Sequence, residues 1–359
     1  TVSSTKIIDV DATNLDGGVL LTLSGVGARR VSYVGNVRAT LNDLTITNGN
    51  LLGGGGGIYN YYGTLTINNS TLSGNTASDP IFGGGGIYNY YGTVTIRNST
   101  FAGNSATNTG GSGGGVYNDS GTLTITNSTF SGNTATVSGG GVYNFGTVHV
   151  TNSTFSGNNA NSGGGLGNWG VASVYNSIVA NNAGGNCFLG NPISGSNNLA
   201  SDNTCGSSFT NSSSIALGTL GNYGGATQTI PLSPSSSAID TGNATTCAAA
   251  VGSPNYGAGG LDQRDKPRND LRCDIGAYEM QITDGNWVVK TPSTTTMTTF
   301  GPAFVGVLDS ATGSQSHPGV ITATKVSNWT GGTPPATIGA WWDLSAATAT
   351  NLNLDLTLC

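Results

Sequence analysis

A repeat of 24 to 29 residues constrains this chain more than any other feature. The segment GGGGGIYNYYGTLTINNSTLSGNTA at 53–77 returns as GGGGIYNYYGTVTIRNSTFAGNSA at 83–106, and shorter copies follow at 113–135, 139–160 and 163–183. An asparagine at the same step of each copy lies at positions 60, 89, 118, 144 and 168. A unit this short cannot bury its own apolar face, so it must stack on its neighbours. This predicts a parallel β-helix.

Apolar and polar residues alternate within each copy. In GTLTI, Leu65 and Ile67 alternate with Thr64 and Thr66, the pattern of a strand with one buried face. We therefore expect an all-β solenoid in which each coil has three sheets or faces. Stacked strands would align two apolar columns in the core: Leu65, Val94, Leu123, Val148 and Val174, and Leu72, Phe101, Phe130 and Phe155.

An asparagine also begins the Asn-Ser step of every copy. We expect these asparagines to stack at a corner of the solenoid, each side-chain amide bonding the next, with Asn98 and Asn127 buried. If so, Asn127→Ala would leave its neighbours unpaired and cost about 1–3 kcal/mol of stability. The members of this expected ladder are Asn69, Asn98, Asn127, Asn152 and Asn176.

Composition and charge exclude some classes of partner. Charged residues make up only 8% of the chain, and the net charge is −6. Nucleic-acid binding requires a basic face, so we expect no nucleic-acid partner. No apolar run approaches the roughly 20 residues that a membrane-spanning helix needs, so we expect no membrane span.

Acidic, basic and histidine side chains are rare in the repeats. Between residues 44 and 180 they are Asp79, Arg97, Asp119 and His149. Glycoside hydrolysis generally uses two carboxylates about 5–9.5 Å apart, and these two aspartates fall at different points of the repeat. We therefore expect no catalytic residue, no cofactor and no metal site, and we expect His149 to be a solvated outward side chain.

Five cysteines occur, all after the repeats. Sequence alone does not fix their connectivity, but Cys187 with Cys205 and Cys247 with Cys273 are the simplest pairs, and Cys359 is left over. Disulfides form in oxidising compartments, which favours a secreted or cell-surface protein.

The repeats carry the signatures GG-[IV]-YN and N-S-T-F-S-G-N. With these they resemble the right-handed parallel β-helix repeats of bacterial surface proteins of the polymorphic outer-membrane-protein type. The following stretch, above all LDQRDKPRNDLRCDIGAYE at 261–279, resembles the choice-of-anchor Q domain. The resemblance implies an all-β, right-handed parallel β-helix in a large secreted or cell-surface protein, and it brings no catalytic residues.

Four segments follow from the repeat and the cysteines. We expect an N-terminal coil or cap at 1–43, β-helix repeats at 44–183, last coils with a disulfide-stapled cap at 184–280, and a C-terminal β-rich segment at 281–359. The chain's only dense charge lies at 262–279. It favours an ion network that closes the last coil, with an ion or ligand site as the alternative. The network would include Arg264, Arg268, Asp274 and Glu279.

A tyrosine column accompanies the repeats. Its members, Tyr59, Tyr88, Tyr117 and Tyr143, alternate with apolar residues and should face outward. They would form an aromatic contact strip for sugars or a neighbouring subunit, or a self-stacking ladder that stabilises the sheet, and both can hold together.

The C-terminal tail has a strand pattern of its own. Leucines alternate with polar residues through 351–358, without an obvious partner within the chain, and open strand edges invite pairing. We therefore expect head-to-tail self-association through an assembly strand that comprises Leu352, Leu354, Leu356, Leu358 and Cys359.

Together these features favour a non-catalytic extracellular structural protein. It would be a stiff β-solenoid used in adhesion, or the protomer of a cell-surface fibre that assembles through its ends. The alternative is a β-helix protein that binds or cleaves polysaccharide, with a surface polysaccharide as its partner.

Overall fold

Three long parallel sheets form a β-solenoid within the first structural unit of the chain, Thr1–Glu279. The computed structural model describes residues 13–18, 21–78, 82–252, 256–268 and 273–281, the strand Lys6–Ile8, and five strands of the second unit, Met280–Cys359. Each coil contributes one strand to each long sheet, which confirms the predicted fold class and its three faces.

The sheets are numbered by the order in which a coil visits them. Sheet 1 consists of Lys6–Ile8, Ser32–Val34, Ile58–Tyr61, Ile87–Tyr90, Val116–Asp119, Val142–Asn144, Leu166–Asn168 and Cys187–Leu189. Sheet 2 consists of Thr13–Asp16, Arg38–Asn42, Thr64–Asn68, Thr93–Arg97, Thr122–Thr126, Thr147–Thr151, Val171–Tyr175 and Ile193–Ser196. Sheet 3 consists of Thr22–Ser24, Thr45–Thr47, Thr71–Ser73, Thr100–Ala102, Thr129–Ser131, Thr154–Ser156, Ile178–Ala180, Asn198–Ala200 and Phe209–Asn211. A short sheet 4 consists of Asn50–Leu51, Thr76–Ala77, Ser105–Ala106 and Thr134–Ala135.

The core is a set of apolar columns that run from coil to coil. The predicted column through Leu72, Phe101, Phe130 and Phe155 is in register, and the centroids of adjacent phenylalanine rings lie 4.6 and 4.7 Å apart. The other predicted column was wrong in its last member. Val148 pairs with Ala172, whereas Val174 pairs with Val150, because the strand Val171–Tyr175 is paired residue for residue with Thr147–Thr151.

Two ladders of buried asparagine side chains run through the coils. In each, a side-chain Nδ2 donates to the Oδ1 of the next asparagine at 2.7–2.9 Å and also donates to a backbone carbonyl. The first ladder follows sheet 1, and the second lies between sheets 3 and 4. Their members are Asn60, Asn89, Asn118, Asn144 and Asn168, and Asn75, Asn104, Asn133, Asn158 and Asn182.

The ladder predicted at the Asn-Ser step is therefore at the wrong asparagine. Those five residues turn the corner between sheets 2 and 3 with left-handed φ values of 45–48°, which asparagine tolerates better than most residues. One bond of the expected kind is present, from the Asn176 Nδ2 to the Asn152 Oδ1 at 3.4 Å. Other members have different partners: Asn98 donates to the Asp265 carboxylate, and Asn127 donates to the carbonyls of Ala258 and Leu261. Asn127 is buried as expected, but Asn98 is only half-buried.

The described residues of 212–279, namely 212–252, 256–268 and 273–279, return along the corner between sheets 2 and 3, and we call them the flank segment. The segment begins with a hairpin bridged at Leu217 with Leu232 and includes the short helix Ala244–Ala248. Its backbone bonds to successive coils: the Gln228 carbonyl accepts from Thr100, and the Gly276 amide donates to the Asn176 carbonyl. The flank segment thus covers the side of the solenoid from the coil of Asn98 to the coil of Asn176.

The described strands of the second unit form two antiparallel sheets. One has three strands, with Val305–Asp309 between Thr298–Thr299 and Leu354–Leu358, and the other pairs Ile321–Val326 with Trp341–Ala346. Among the residues that the structure describes, no helix has the length and apolarity needed to cross a membrane.

Removing one rung of a ladder should destabilise the solenoid. Asn133→Ala removes the side-chain bonds to the Asn158 Oδ1 and the Phe101 carbonyl, and one Nδ2 hydrogen of Asn104 loses its acceptor. A buried group left unsatisfied generally costs about 1–3 kcal/mol. We expect a clearly lower midpoint in urea unfolding. Asn69→Gly is the matched control, because glycine keeps the left-handed corner and Asn69 is outside both ladders. Equal midpoints for the two variants would contradict the ladder's role.

Candidate functional site

The outer face of sheet 1 carries a column of tyrosines. Tyr33, Tyr59, Tyr88, Tyr117 and Tyr143 are register partners, and neighbouring rings lie 5.1–5.5 Å apart. The expected alternation with buried apolar residues is present. Two members are nevertheless covered, since Tyr88 is 3% exposed and Tyr143 is 9% exposed. The Phe82 ring packs 5.6 Å from Tyr88 and helps to cover it.

A second, more exposed row of rings lies beside this column and was not expected from the sequence. Tyr61, Tyr90, Phe145 and Trp169 occupy the strand end or the turn that follows, and Tyr62 and Tyr91 lie next to the first two. The signal was the YNYYG step, which occurs in only two copies. We call the column and this row together the aromatic face; its exposed members are Tyr61, Tyr62, Tyr91, Phe145 and Trp169.

Most rings of the exposed row stack on the equivalent ring of the next coil. Tyr61 and Tyr90 are 5.6 Å apart with planes 8° from parallel, and Tyr62 and Tyr91 are 5.3 Å apart at the same angle. Such offset stacks contribute about 0.5–1.5 kcal/mol per pair beyond the area they bury. The self-stacking ladder expected from the sequence is therefore present. Stacking occupies the ring faces, so the row presents mainly ring edges and hydroxyl groups to solvent.

Arg30 supports the first coils of the aromatic face. Its guanidinium lies 4.9 Å from the Tyr59 ring centroid and donates to the carbonyls of Gly54 and Gly55. Burial raises the pKa of Tyr59 to about 12, with a further contribution from Tyr33, while the positive charge of Arg30 opposes the shift. Tyr59 is therefore a neutral phenol at physiological pH.

One carboxylate lies in this face. The Tyr88 hydroxyl donates to Asp119 Oδ2 at 2.7 Å. Burial raises the pKa of Tyr88, and the hydrogen bond to Asp119 and its negative charge add to the shift. The pKa of Tyr117 is raised by burial and then by the charge of Asp119.

His149 was expected to be solvated, and this was wrong. Its ring stacks on Tyr256 of the flank segment with centroids 4.0 Å apart, and its Nδ1 lies 2.6 Å from the Ser173 hydroxyl. Burial lowers the pKa of His149, so the imidazole is neutral at pH 7. The sequence contained no sign of this contact, because Tyr256 is far away along the chain.

The charged cluster at 262–279 forms a buried network, although not at the end of the solenoid. Arg264 pairs with Asp262, and Arg268 pairs with Glu279, each at 2.8 Å. The Asp274 carboxylate accepts from the Asp240 amide. The network lies on the flank: Arg268 reaches Asn127, and the Ala277 amide donates to Thr154. It fixes the flank segment to the middle coils, which corrects the expected position over the last coil.

Both simplest cysteine pairs form disulfides. Cys187–Cys205 links the last strand of sheet 1 to the loop before the last strand of sheet 3. Cys247–Cys273 joins two parts of the flank segment, and its sulfurs lie against the side chain of Asn176.

The C-terminal strand has a partner within the chain, contrary to expectation. Leu354–Leu358 pairs antiparallel with Val305–Asp309, with Leu356 opposite Val307. This pairing could not be predicted from the sequence, because the two strands are far apart along the chain. Leu352 and Cys359 lie outside the described residues.

The comparisons with known proteins identify no relative. No protein-family model matches the chain, and neither a curated protein nor a solved structure matches it. Within the described ranges, no group of three or more His, Cys, Asp or Glu side chains could hold a metal ion. The aromatic face is therefore the feature of the described residues that bears most directly on function.

Alkali should destabilise the aromatic face before the rest of the solenoid. The pKa of Tyr59 is raised from 10.0 to about 12, so its phenol binds its proton more tightly in the folded state. That contribution to stability is complete below pH 10 and is lost as the pH rises from 10 towards 12. We expect the thermal midpoint to fall across this window, and Tyr59→Phe to reduce the fall. A midpoint with the same pH dependence in both proteins would contradict the assignment.

Breaking the flank network should loosen the flank segment alone. Arg268→Ala removes the guanidinium that pairs with the buried Glu279 carboxylate, and removing one partner of a buried ion pair generally costs about 3–5 kcal/mol. Hydrogen exchange should accelerate at 240–279 while sheet 1 keeps its protection. Lys266→Ala is the control, since this exposed side chain has no part in the buried pairs. Uniform acceleration in both regions would show that the flank and the coils unfold together.

Proposed function

We propose that this protein is a non-catalytic extracellular structural protein, a stiff β-solenoid that adheres through its aromatic face. The observation that carries the proposal is the set of exposed rings beside sheet 1, which form stacks on either side of Asp119 and together extend from the coil of Tyr61 to the coil of Trp169. Large exposed apolar patches on soluble proteins generally mark contact sites. Stacking between coils holds these rings in place, so little side-chain entropy would be lost on contact.

The sheets and asparagine ladders of the solenoid form a rigid support for the aromatic face. Each coil is bonded to the next through three sheets and two buried asparagine ladders. In a solenoid, stability is the sum of such nearest-neighbour contacts, so the aromatic face has a fixed geometry along its length.

Two observations support the extracellular setting. The structure contains two disulfides, which persist in oxidising compartments. The repeat signatures and the motif at 261–279 resemble bacterial surface proteins, and we propose that the chain belongs to such a surface protein of the polymorphic outer-membrane-protein and choice-of-anchor Q type.

A surface polysaccharide is the partner that the face suits best. Sugars present both C–H surfaces and hydroxyls, and tyrosine and tryptophan combine an apolar body with a hydrogen-bonding group. Binding is favoured over cleavage, since Asp119 is the only Asp or Glu between residues 80 and 201 and glycoside hydrolysis generally needs two carboxylates.

End-to-end assembly into a fibre is the second candidate. In the described part of the chain, Cys187–Leu189 and Ile193–Ser196 are the last strands of sheets 1 and 2, and open edges pair readily with further strands. The C-terminal strand Leu354–Leu358 is a less suitable assembly strand than the sequence predicted, because it pairs with Val305–Asp309. Growth of particle mass with concentration in light scattering would support the fibre, and a constant monomer mass would exclude it.

The adhesion proposal predicts retention of the protein on insoluble polysaccharides without release of reducing ends. Tyr62→Asn with Tyr91→Asn removes two exposed rings, and asparagine tolerates the left-handed backbone found at both positions. We expect retention to fall about tenfold or more, the equivalent of losing about 1.4 kcal/mol. Val171→Ala, which trims an exposed apolar side chain on sheet 2, should leave retention unchanged. Reducing ends released at enzymic rates would overturn the non-catalytic proposal.

A further inference from the structure

The exposed aromatic row is interrupted at one coil. Asp119 is the register partner of Tyr90, and on its other side the Phe145 amide donates to the Asn118 carbonyl. Asp119 thus stands where the neighbouring coils carry a ring. The stack of Tyr61 on Tyr90 ends there, and a new stack of Phe145 on Trp169 begins beyond it.

The missing ring leaves a slot of defined width. Adjacent coils are about 4.8 Å apart, so Tyr90 and Phe145 stand about 9.6 Å apart, two strand spacings. A group midway would lie about 4.8 Å from each ring, inside the ~6 Å within which a cation is attracted to an aromatic face. Tyr117 lies on the inner side of the slot, with its ring centroid 6.4 Å from that of Phe145.

The slot carries a negative charge, and neither of the two described ion pairs involves its carboxylate. Asp119 is half-buried, and its carboxylate accepts from the Tyr88 hydroxyl and the Ser120 hydroxyl. A carboxylate has about four acceptor sites, so capacity for a further donor remains. Arg97 is the only Lys or Arg between residues 39 and 263, and it lies on sheet 2. The charge is therefore available to a ligand.

We propose that the slot formed by Tyr90, Tyr117, Asp119 and Phe145 binds a compact organic ammonium cation. The carboxylate supplies the counter-charge, and the rings of Tyr90 and Phe145 contact the alkyl groups on either side. Aromatic rings provide no oxygen ligands for a hydrated metal ion, whereas an alkylated ammonium is weakly hydrated and suits both the rings and the charge. The slot lies within the aromatic face, but its ligand would be a single small cation, whereas adhesion to polysaccharide would use the exposed rings of several coils.

The test uses the full chain and tetramethylammonium chloride as the probe, titrated in a calorimeter or followed by tryptophan fluorescence at constant ionic strength. Saturable binding is expected. Tert-butyl alcohol is similar in size and shape but uncharged, and it should bind at least about tenfold more weakly, since a desolvated cation–π contact contributes about 2 kcal/mol. Equal binding of the two probes, or no saturation with the cation, would overturn the proposal.

Two variants test separately how the charge of Asp119 and the ring of Phe145 contribute to cation binding. Asp119→Asn keeps the acceptor for the Tyr88 hydroxyl and removes the charge, and Phe145→Leu removes a ring but keeps an apolar side chain. Each should weaken tetramethylammonium binding about tenfold. Asp16→Asn, which removes an equal charge from the first coil of sheet 2, should bind as the parent does. Parent-like binding by Asp119→Asn, with an unchanged thermal midpoint, would overturn the site.

A final comparison identifies the source of the cation. Free choline and phosphatidylcholine vesicles present the same trimethylammonium group in soluble and membrane-bound form. Co-sedimentation with the vesicles that depends on Asp119 would assign a lipid headgroup, whereas choline binding without co-sedimentation would assign a soluble cation. Failure of polysaccharide retention would leave this result unaffected, since the probes are small and the variants differ from those of the adhesion test.

Discussion

The structure depends on hydrogen bonding between stacked coils, and the buried asparagine ladders are its most demanding part. Burying an amide without hydrogen-bond partners costs free energy. Every asparagine in a ladder must therefore have an equivalent asparagine at the matching position of the next coil. Asn104, for example, bonds to Asn133 and to the Leu72 carbonyl at once. This requirement fixes the register of the sheets, and the register in turn aligns the phenylalanines within the core and the tyrosines on its surface.

The fold could be predicted because alternation and repetition act together. The alternation of Leu65 and Ile67 with polar residues predicts which side of the strand is buried. The four further copies of the repeat predict which strands stack on it. The position of the ladder could not be predicted in the same way. Asn60, Asn69 and Asn75 all recur through the copies, and only the backbone conformation separates them. The left-handed φ of Asn69 points to a corner role, whereas the other two lie where their amides turn inward.

The site was predicted only in part for a different reason. The tyrosine column follows from strand alternation, but the exposed row depends on turn residues that vary between copies. The contacts of the flank segment could not be predicted from the sequence, because they join residues that are far apart along the chain. Asn98 and Asp265, for example, are separated by 167 positions. The stacking of Tyr256 on His149 is of the same kind.

The flank segment also limits how the number of repeats can vary. Solenoids ordinarily lengthen or shorten by whole coils, since each coil contacts only its neighbours. Here one continuous segment is bonded to the coils of Asn98, Asn127, Asn152 and Asn176 at fixed intervals. An extra coil inserted among these four would displace every later anchor by one strand spacing. Duplication and loss of repeats should therefore be tolerated best on the N-terminal side of Asn98, where no described hydrogen bond joins the coils to the flank segment.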